Sequence, residues 1–265
     1  MIELKNPCTS SGNRKASTAA RGGTPGQTNS VNNTNGDTTP PALERVHVLN
    51  DTPLIVTFDE PVDSAGAVAL AHYSFTPFLT LKGATALNPL LQQVQLQLTA
   101  PLDVNTVYTL TVQHIADCSG NSIGSQNKLP VGQPKAAEAS DVVINGILFN
   151  PRPNGYDYVE LYNHSTKVID AGQLYLANRD STGSIASLKK LSETPYYLFQ
   201  GDYVVLTDNA SSLHLQYFVQ NPHAVLPLSS LPFLSDREGK VVLLSLQGDV
   251  VDELHYQHDW HFALP

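Results

Sequence analysis

Short runs in which apolar and polar residues alternate strictly recur through most of this chain, and few folds accept such runs. Val94-Gln95-Leu96-Gln97-Leu98 alternates without a break, as does Tyr108-Thr109-Leu110-Thr111-Val112. Leu54, Val56 and Phe58 share one face of a third run, and Arg45-Val46-His47-Val48 repeats the pattern. A period of two sends successive side chains to opposite sides of a pleated strand, so each run has one face to bury and one to wet. Turn-forming clusters divide the runs: Asn50-Asp51-Thr52-Pro53, Asp59-Glu60-Pro61, Asn88-Pro89 and Ser119-Gly120-Asn121. Half-buried strands at this spacing predict an antiparallel β-sandwich over residues 41–132.

The same grammar resumes after a short connector over residues 133–140. Candidate strands fall at 142–149, 157–163, 173–178, 196–199, 203–207, 240–246 and 250–256, and Gly248-Asp249 reads as a tight hairpin turn. Residues 209–218 read as a single helix with Leu213, Tyr217 and Phe218 on one face. Residues 1–40 are different: Gly22-Gly23-Thr24-Pro25-Gly26-Gln27-Thr28-Asn29-Ser30 has almost no large apolar side chain. Such a stretch buries too little to offset its chain entropy and reads as an extended segment or linker. The expected fold class is therefore all-β, with two Ig-like antiparallel β-sandwiches in tandem behind an extended N-terminal segment.

Charge narrows the partners. The formal net charge is −9, and residues 140–265 carry seven basic against fourteen acidic groups. No stretch concentrates positive charge, which argues against nucleic acid, and no apolar run reaches the ~20 residues of a membrane span. Cys8 and Cys118 are too few for a disulfide scaffold; one bridge between them and two free thiols are both open readings.

Three resemblances follow from particular motifs. Val142-Val143-Ile144-Asn145-Gly146-Ile147-Leu148-Phe149-Asn150-Pro151, Asp157-Tyr158-Val159-Glu160-Leu161-Tyr162-Asn163, Ile169-Asp170, Gly201-Asp202-Tyr203-Val204-Val205-Leu206-Thr207 and the run from Gly248 to Tyr256 occur in the order found in lamin-tail domains, which the region 141–265 resembles. That family usually has Asn-Glu where this chain has Asn145-Gly146, so a role for that carboxylate is lost. The resemblance implies framework positions at Glu160 and Asn163, and a final strand missing after Trp260. Val56-Thr57-Phe58-Asp59-Glu60-Pro61-Val62-Asp63, Thr106 to Val112 and Asp117-Cys118-Ser119-Gly120-Asn121 resemble a bacterial Ig-like domain of the S-layer type. Ile2-Glu3-Leu4-Lys5, Gly22 to Gly26 and Asn29-Ser30 resemble the closing segment of another lamin-tail domain, with Arg14 where tryptophan is common. The chain would then be a piece of a longer one. Ile2 and Leu4 would lie on a strand that pairs with the open edge of a lamin-tail domain, its own or a neighbour's.

Chemistry-bearing groups are sparse. Asp59, Glu60 and Asp63 form the densest acidic cluster of the first unit and could offer oxygen ligands to calcium, though no EF-hand spacing is present. Tyr156, Tyr158 and Tyr162, with Tyr196, Tyr197 and Tyr203, could form a sugar-stacking face or could simply pack the sandwich. His255, His258 and His261 could converge on a metal only through a turn, and the alternative is a polar terminus beside a buried Trp260. Asp157 and Glu160 fall on opposite faces of a strand, which does not suit paired acid–base work. No catalytic constellation emerges and no cofactor is expected beyond the calcium option. These features point to non-enzymatic structural, adhesion or scaffold modules of a larger secreted or cell-surface bacterial protein, partnered by other domains through strand addition. The alternative is a glycan- or calcium-binding accessory module of a secreted hydrolase or nuclease.

Overall fold

The computed structural model describes residues 2–4, 14–31 and 37–260. The chain divides into two compact units, one built from residues 1–102 and 107–131 and the other from 103–106 and 132–265.

The first unit opens with a two-stranded ribbon in which β1 (Ile2–Leu4) pairs antiparallel with β2 (Arg14–Ala16), Ile2 opposite Ala16 and Leu4 opposite Arg14. β1 thus finds a partner in its own sequence neighbourhood. Closing a short loop costs less entropy than closing one of a hundred residues. The sandwich itself consists of β3 (Leu43–Val48), β4 (Pro53–Phe58), β5 (Tyr73–Thr76), β6 (Leu81–Leu87), β7 (Gln93–Leu98), β8 (Tyr108–Val112) and β9 (Lys128–Val131). One sheet has the order β3-β4-β7-β6 and the other β5-β8-β9, all pairs antiparallel. A single core joins them: Leu54, Val56 and Phe58 from β4 and Val94, Leu96 and Leu98 from β7 meet Tyr73, Phe75, Leu110 and Val112. The outward positions of β7 are Gln93, Gln95 and Gln97, as the alternation requires. A one-turn helix, α1 (Ser64–Ala67), starts where the Asp63 carboxylate accepts the Gly66 N–H at 2.7 Å.

The second unit repeats the principle with more strands. It contains β10 (Pro134–Lys135), β11 (Val142–Leu148), β12 (Tyr158–Asn163), β13 (Val168–Asp170), β14 (Leu174–Arg179), β15 (Ile185–Lys190), β16 (Tyr197–Leu198), β17 (Tyr203–Thr207), β18 (Val225–Pro227), β19 (Glu238–Ser245) and β20 (Val250–Gln257). The main sheets run β11-β12-β17-β18 and β15-β14-β19-β20, and a small third sheet runs β10-β13-β16. Pro134 and Lys135, expected in a connector, instead pair in parallel with Val168 and Ile169. Val159, Leu161, Val204 and Leu206 from one main sheet and Leu174, Leu176, Val241 and Leu243 from the other fill one core.

Tyr256 is fully buried against Phe149, ring centroids 4.5 Å apart, and its hydroxyl donates to the Ser235 carbonyl. A Cβ on Gly239, its cross-strand partner, would come within 2.5 Å of that hydroxyl oxygen, so only glycine fits beside this ring. Gly248 turns β19 into β20 with a φ of 87°, as the Gly-Asp pair suggested. The single helix is shorter than expected, α2 (Ala210–Gln216), capped by the Asn209 side chain on the Ser212 N–H. Tyr217 has already turned to extended backbone, so it and Phe218 leave the helix face on which the spacing put them.

Candidate functional site

Each unit has a place where side chains of candidate function converge. In the first unit, the three acidic residues of the Asp59-to-Asp63 turn go separate ways. The Asp59 carboxylate accepts the Ala42 N–H at 2.8 Å and Asp63 caps α1, so both are used by local backbone. Glu60 instead joins Asp37 and Asp117, with carboxylate oxygens of all three within 4.8 Å of one another.

Burial alone would raise the Asp117 pKa, but bonds from the Asn121 side chain and the N–H groups of Asn121 and Ser119 hold it below the usual range. Glu60 is shifted upward, first by partial burial and then by Asp37, Asp117 and Asp59. Three convergent oxygens of this kind can serve a hard divalent cation, and as carboxylates alone they repel. Sequence spacing could not reveal this grouping, because Asp37 and Asp117 are brought together across the fold.

His255 and His258 belong to no such group. The trio above is the only potential metal-holding set among the described residues, and His261 lies outside them. Asp252 accepts the Ile144 N–H, Glu253 pairs with Arg179 at 2.7 Å, and Trp260, expected to be buried, is exposed. Asp157 precedes β12, where burial and then the charges of Asp236 and Asp208 push its carboxyl up to about 6. Cys118 is disulfide-bonded; Cys8, the chain's only other cysteine, lies outside the described residues.

The second place is a groove of about 930 Å³ on the second unit. Its floor is the outward face of β12 and β17, where Tyr158, Glu160, Tyr203 and Val205 point away from the core. One wall is the segment of Tyr196, Tyr197 and Leu198 with the Gly201-Asp202 turn, and the other is Tyr217, Phe218 and the loop to Ala224. The Tyr196 hydroxyl donates to the His223 carbonyl at 3.0 Å and so ties the two walls together.

Tyr158 meets Tyr217 edge to face at 6.1 Å, and Tyr203 lies against Tyr162 at 4.6 Å. Burial, then Glu160 and Tyr217, push the Tyr158 phenol up, so it stays protonated at neutral pH. Asn145 donates to Glu160 at 2.6 Å, and Asp202 accepts the Phe199 N–H at 2.8 Å. Gly146 lies opposite Glu160 just past a bulge in β11, where a glutamate would have added a second carboxylate to the same sheet.

Of the tyrosines singled out from sequence, Tyr158, Tyr196, Tyr197 and Tyr203 line the groove. Tyr162 supports it through Tyr203, and Tyr156 stands apart in the preceding loop. Tyr217 and Phe218 join the lining because α2 ends at Gln216, whereas their spacing alone predicts a helix face. Among the described residues no helix is long and apolar enough to cross a membrane.

No protein-family model matches the chain, and neither does any curated protein. Among solved structures, the N-terminal part of the bacterial S-layer protein SbsC is similar at 17% identity and a TM-score of 0.33, over 62% of this chain and 45% of that one. A longer S-layer SbsC structure is similar at 12% identity and a TM-score of 0.34, over 83% of this chain and 41% of that one. An L,D-transpeptidase from Mycobacterium tuberculosis H37Rv is similar at 14% identity and a TM-score of 0.21, over 82% and 98%. The chain spans less than half the length of these S-layer structures. At these scores none of the likenesses bears on function.

Proposed function

We propose that this chain supplies non-enzymatic structural or adhesion modules to a larger secreted or cell-surface bacterial protein, the first of S-layer Ig-like type and the second of lamin-tail type. The observation that carries this reading is the use made of buried polar side chains. Asp117, Asn163, Asp170, Thr207 and Ser245 are the buried polar residues among those described, and each is committed to the backbone of a turn or loop. Asn163, a framework position of the resemblance, donates to the carbonyls of Lys167 and Leu198 and accepts from Ser165. Buried polarity spent on holding loops in place is what a rigid module needs, whereas catalysis needs such groups aimed into a cleft. The disulfide at Cys118 supports export, since such bonds persist in oxidising compartments.

The test has two arms. Antibody raised against the chain should label intact, unpermeabilised source cells. The purified chain should turn over none of a panel of esters, glycosides, peptides and phosphodiesters. Turnover that persists through purification to homogeneity would remove the non-enzymatic reading, and labelling only after permeabilisation would remove the surface one.

A further inference from the structure

We infer that the aromatic groove over β12 and β17 binds a neutral polysaccharide chain, a function separate from the scaffold role proposed above. Three observations choose this occupant. Aromatic rings dominate the surface: Tyr158, Tyr197, Tyr203, Tyr217 and Phe218 all face the groove, and Phe218 is 94% exposed at its rim. An apolar ring held out in water gains by covering the C–H face of a sugar, which is flat, weakly apolar and edged by hydroxyls.

The charges select further. Glu160 and Asp202 are the only charged residues among those lining the groove, and no Lys, Arg or His side chain is among them. Uronate, sulfated or phosphorylated chains and nucleic acids would be repelled, whereas hydroxyl groups can donate to these carboxylates. Each carboxylate is already oriented by a protein donor, Asn145 for Glu160 and the Phe199 N–H for Asp202, so little freedom is lost on binding.

The backbone argues against a peptide. β12 and β17 are interior strands of the order β11-β12-β17-β18, so their ladder groups are paired on both sides. A peptide laid over β12 and β17 finds no unpaired ladder there, and the one sheet edge in the lining, β16, is two residues long, too short to supply the main-chain bonds that give strand addition its affinity. The groove is open and larger than a single sugar ring requires, which suits a chain passing through it.

The experiment is affinity electrophoresis of the full chain in native gels containing soluble starch, mannan, hydroxyethyl cellulose, glycol chitin or mixed-linkage β-glucan. Polygalacturonate and heparin serve as polyanion gels, and a Lys-rich peptide is titrated separately. At least one neutral gel should retard the chain and neither polyanion should. Tyr203→Ala and Tyr217→Ala should each weaken the retarding affinity about tenfold, the loss of one stacked ring, while Tyr203→Phe keeps it within about threefold. Circular dichroism melts of each variant separate lost binding from lost folding.

Mobility unchanged in every neutral gel overturns the inference, as does retardation that both alanine variants retain. Retardation by the polyanions, or peptide binding abolished by the same alanine variants, overturns the choice of occupant. None of these results bears on the scaffold reading, which stands or falls on surface labelling and turnover.

Discussion

The two sandwiches are written in the same alternating strands but treat their outward faces differently. In the first unit the wetted positions of β7 are glutamines, and Gln93 reaches only the Thr57 hydroxyl on the neighbouring strand. In the second unit the equivalent positions of β12 and β17 are Tyr158, Glu160, Tyr162 and Tyr203, and a loop with α2 rises beside them to make a groove. The core takes one face of β7, β12 and β17 and leaves the other to solvent, so the same folding rule accommodates glutamines on one strand and tyrosines on the others. The first unit keeps its chemistry at one rim, in the carboxylates of Asp37, Glu60 and Asp117.

If the units are stabilised separately, a change in one should leave the other's strands untouched in hydrogen exchange. The largest effect is expected from Cys118→Ser, which should cost the first unit about 2–5 kcal/mol in denaturant unfolding while β12, β17 and β19 keep their protection. Equal loss of protection in both units would break the separation. Next comes Asn163→Ala. Asn163 is fully buried and makes bonds on both sides of its amide, so its loss should cost the second unit about 2–3 kcal/mol, with β4, β7 and β8 unaffected.

The pH response should also differ between units. Asp157 titrates near 6 in the folded chain against an ordinary 3.8, so the folded state takes up a proton first as pH falls. The charged carboxylate costs stability above about pH 6, the cost shrinks as pH falls through that value, and no further change is due below the unfolded pKa. After solvent screening this amounts to about 1–2 kcal/mol between pH 7.5 and 4. Asp157→Asn should flatten that part of the profile and raise stability at pH 7.5; an unaltered slope would show that Asp157 is not the group responsible.

The smallest effect is expected at Glu60. Its raised pKa means that its charge is disfavoured beside Asp37 and Asp117, so Glu60→Gln should stabilise the first unit by a few tenths of a kcal/mol at pH 7. The gain should vanish in acid. A loss at neutral pH would mean that the carboxylate makes a favourable contact, and adding calcium to both forms would show whether that contact is a cation.

Which strands could be read in advance has a simple pattern. Alternation marks the interior strands β4, β7 and β8 of the first unit, whereas β19 reads as a continuous apolar run whose residues Val241 to Ser245 are buried on both faces. The strands of the facing sheets that are not legible, β5, β6, β9, β15 and β18, are all edges, and in the small sheet β10 and the interior β13 are not legible either. An interior strand is held by neighbours on both sides and by the core, which keeps it rich in apolar residues, alternating where one face is wet and continuous where both are covered, as in β19. An edge strand is paired on one side only and tolerates Gly83 in β6, Pro130 in β9, Lys189 and Lys190 in β15 and Pro227 in β18. The helix was overextended for a related reason, since Tyr217 and Phe218 suit a buried helical face by spacing, and only the turn after Gln216 takes them off it.

By itself the sequence determined the all-β class, the two strand-rich regions and the inward residues of β4, β7 and β8, because side-chain alternation is a local consequence of backbone geometry. Tertiary structure alone decided that Glu60 would leave its turn neighbours for Asp37 and Asp117, and that tyrosines far apart in the chain would enclose one groove. Those groupings depend on which strands become neighbours and on where loops lie over a sheet, and neither quantity is encoded in any single run of residues.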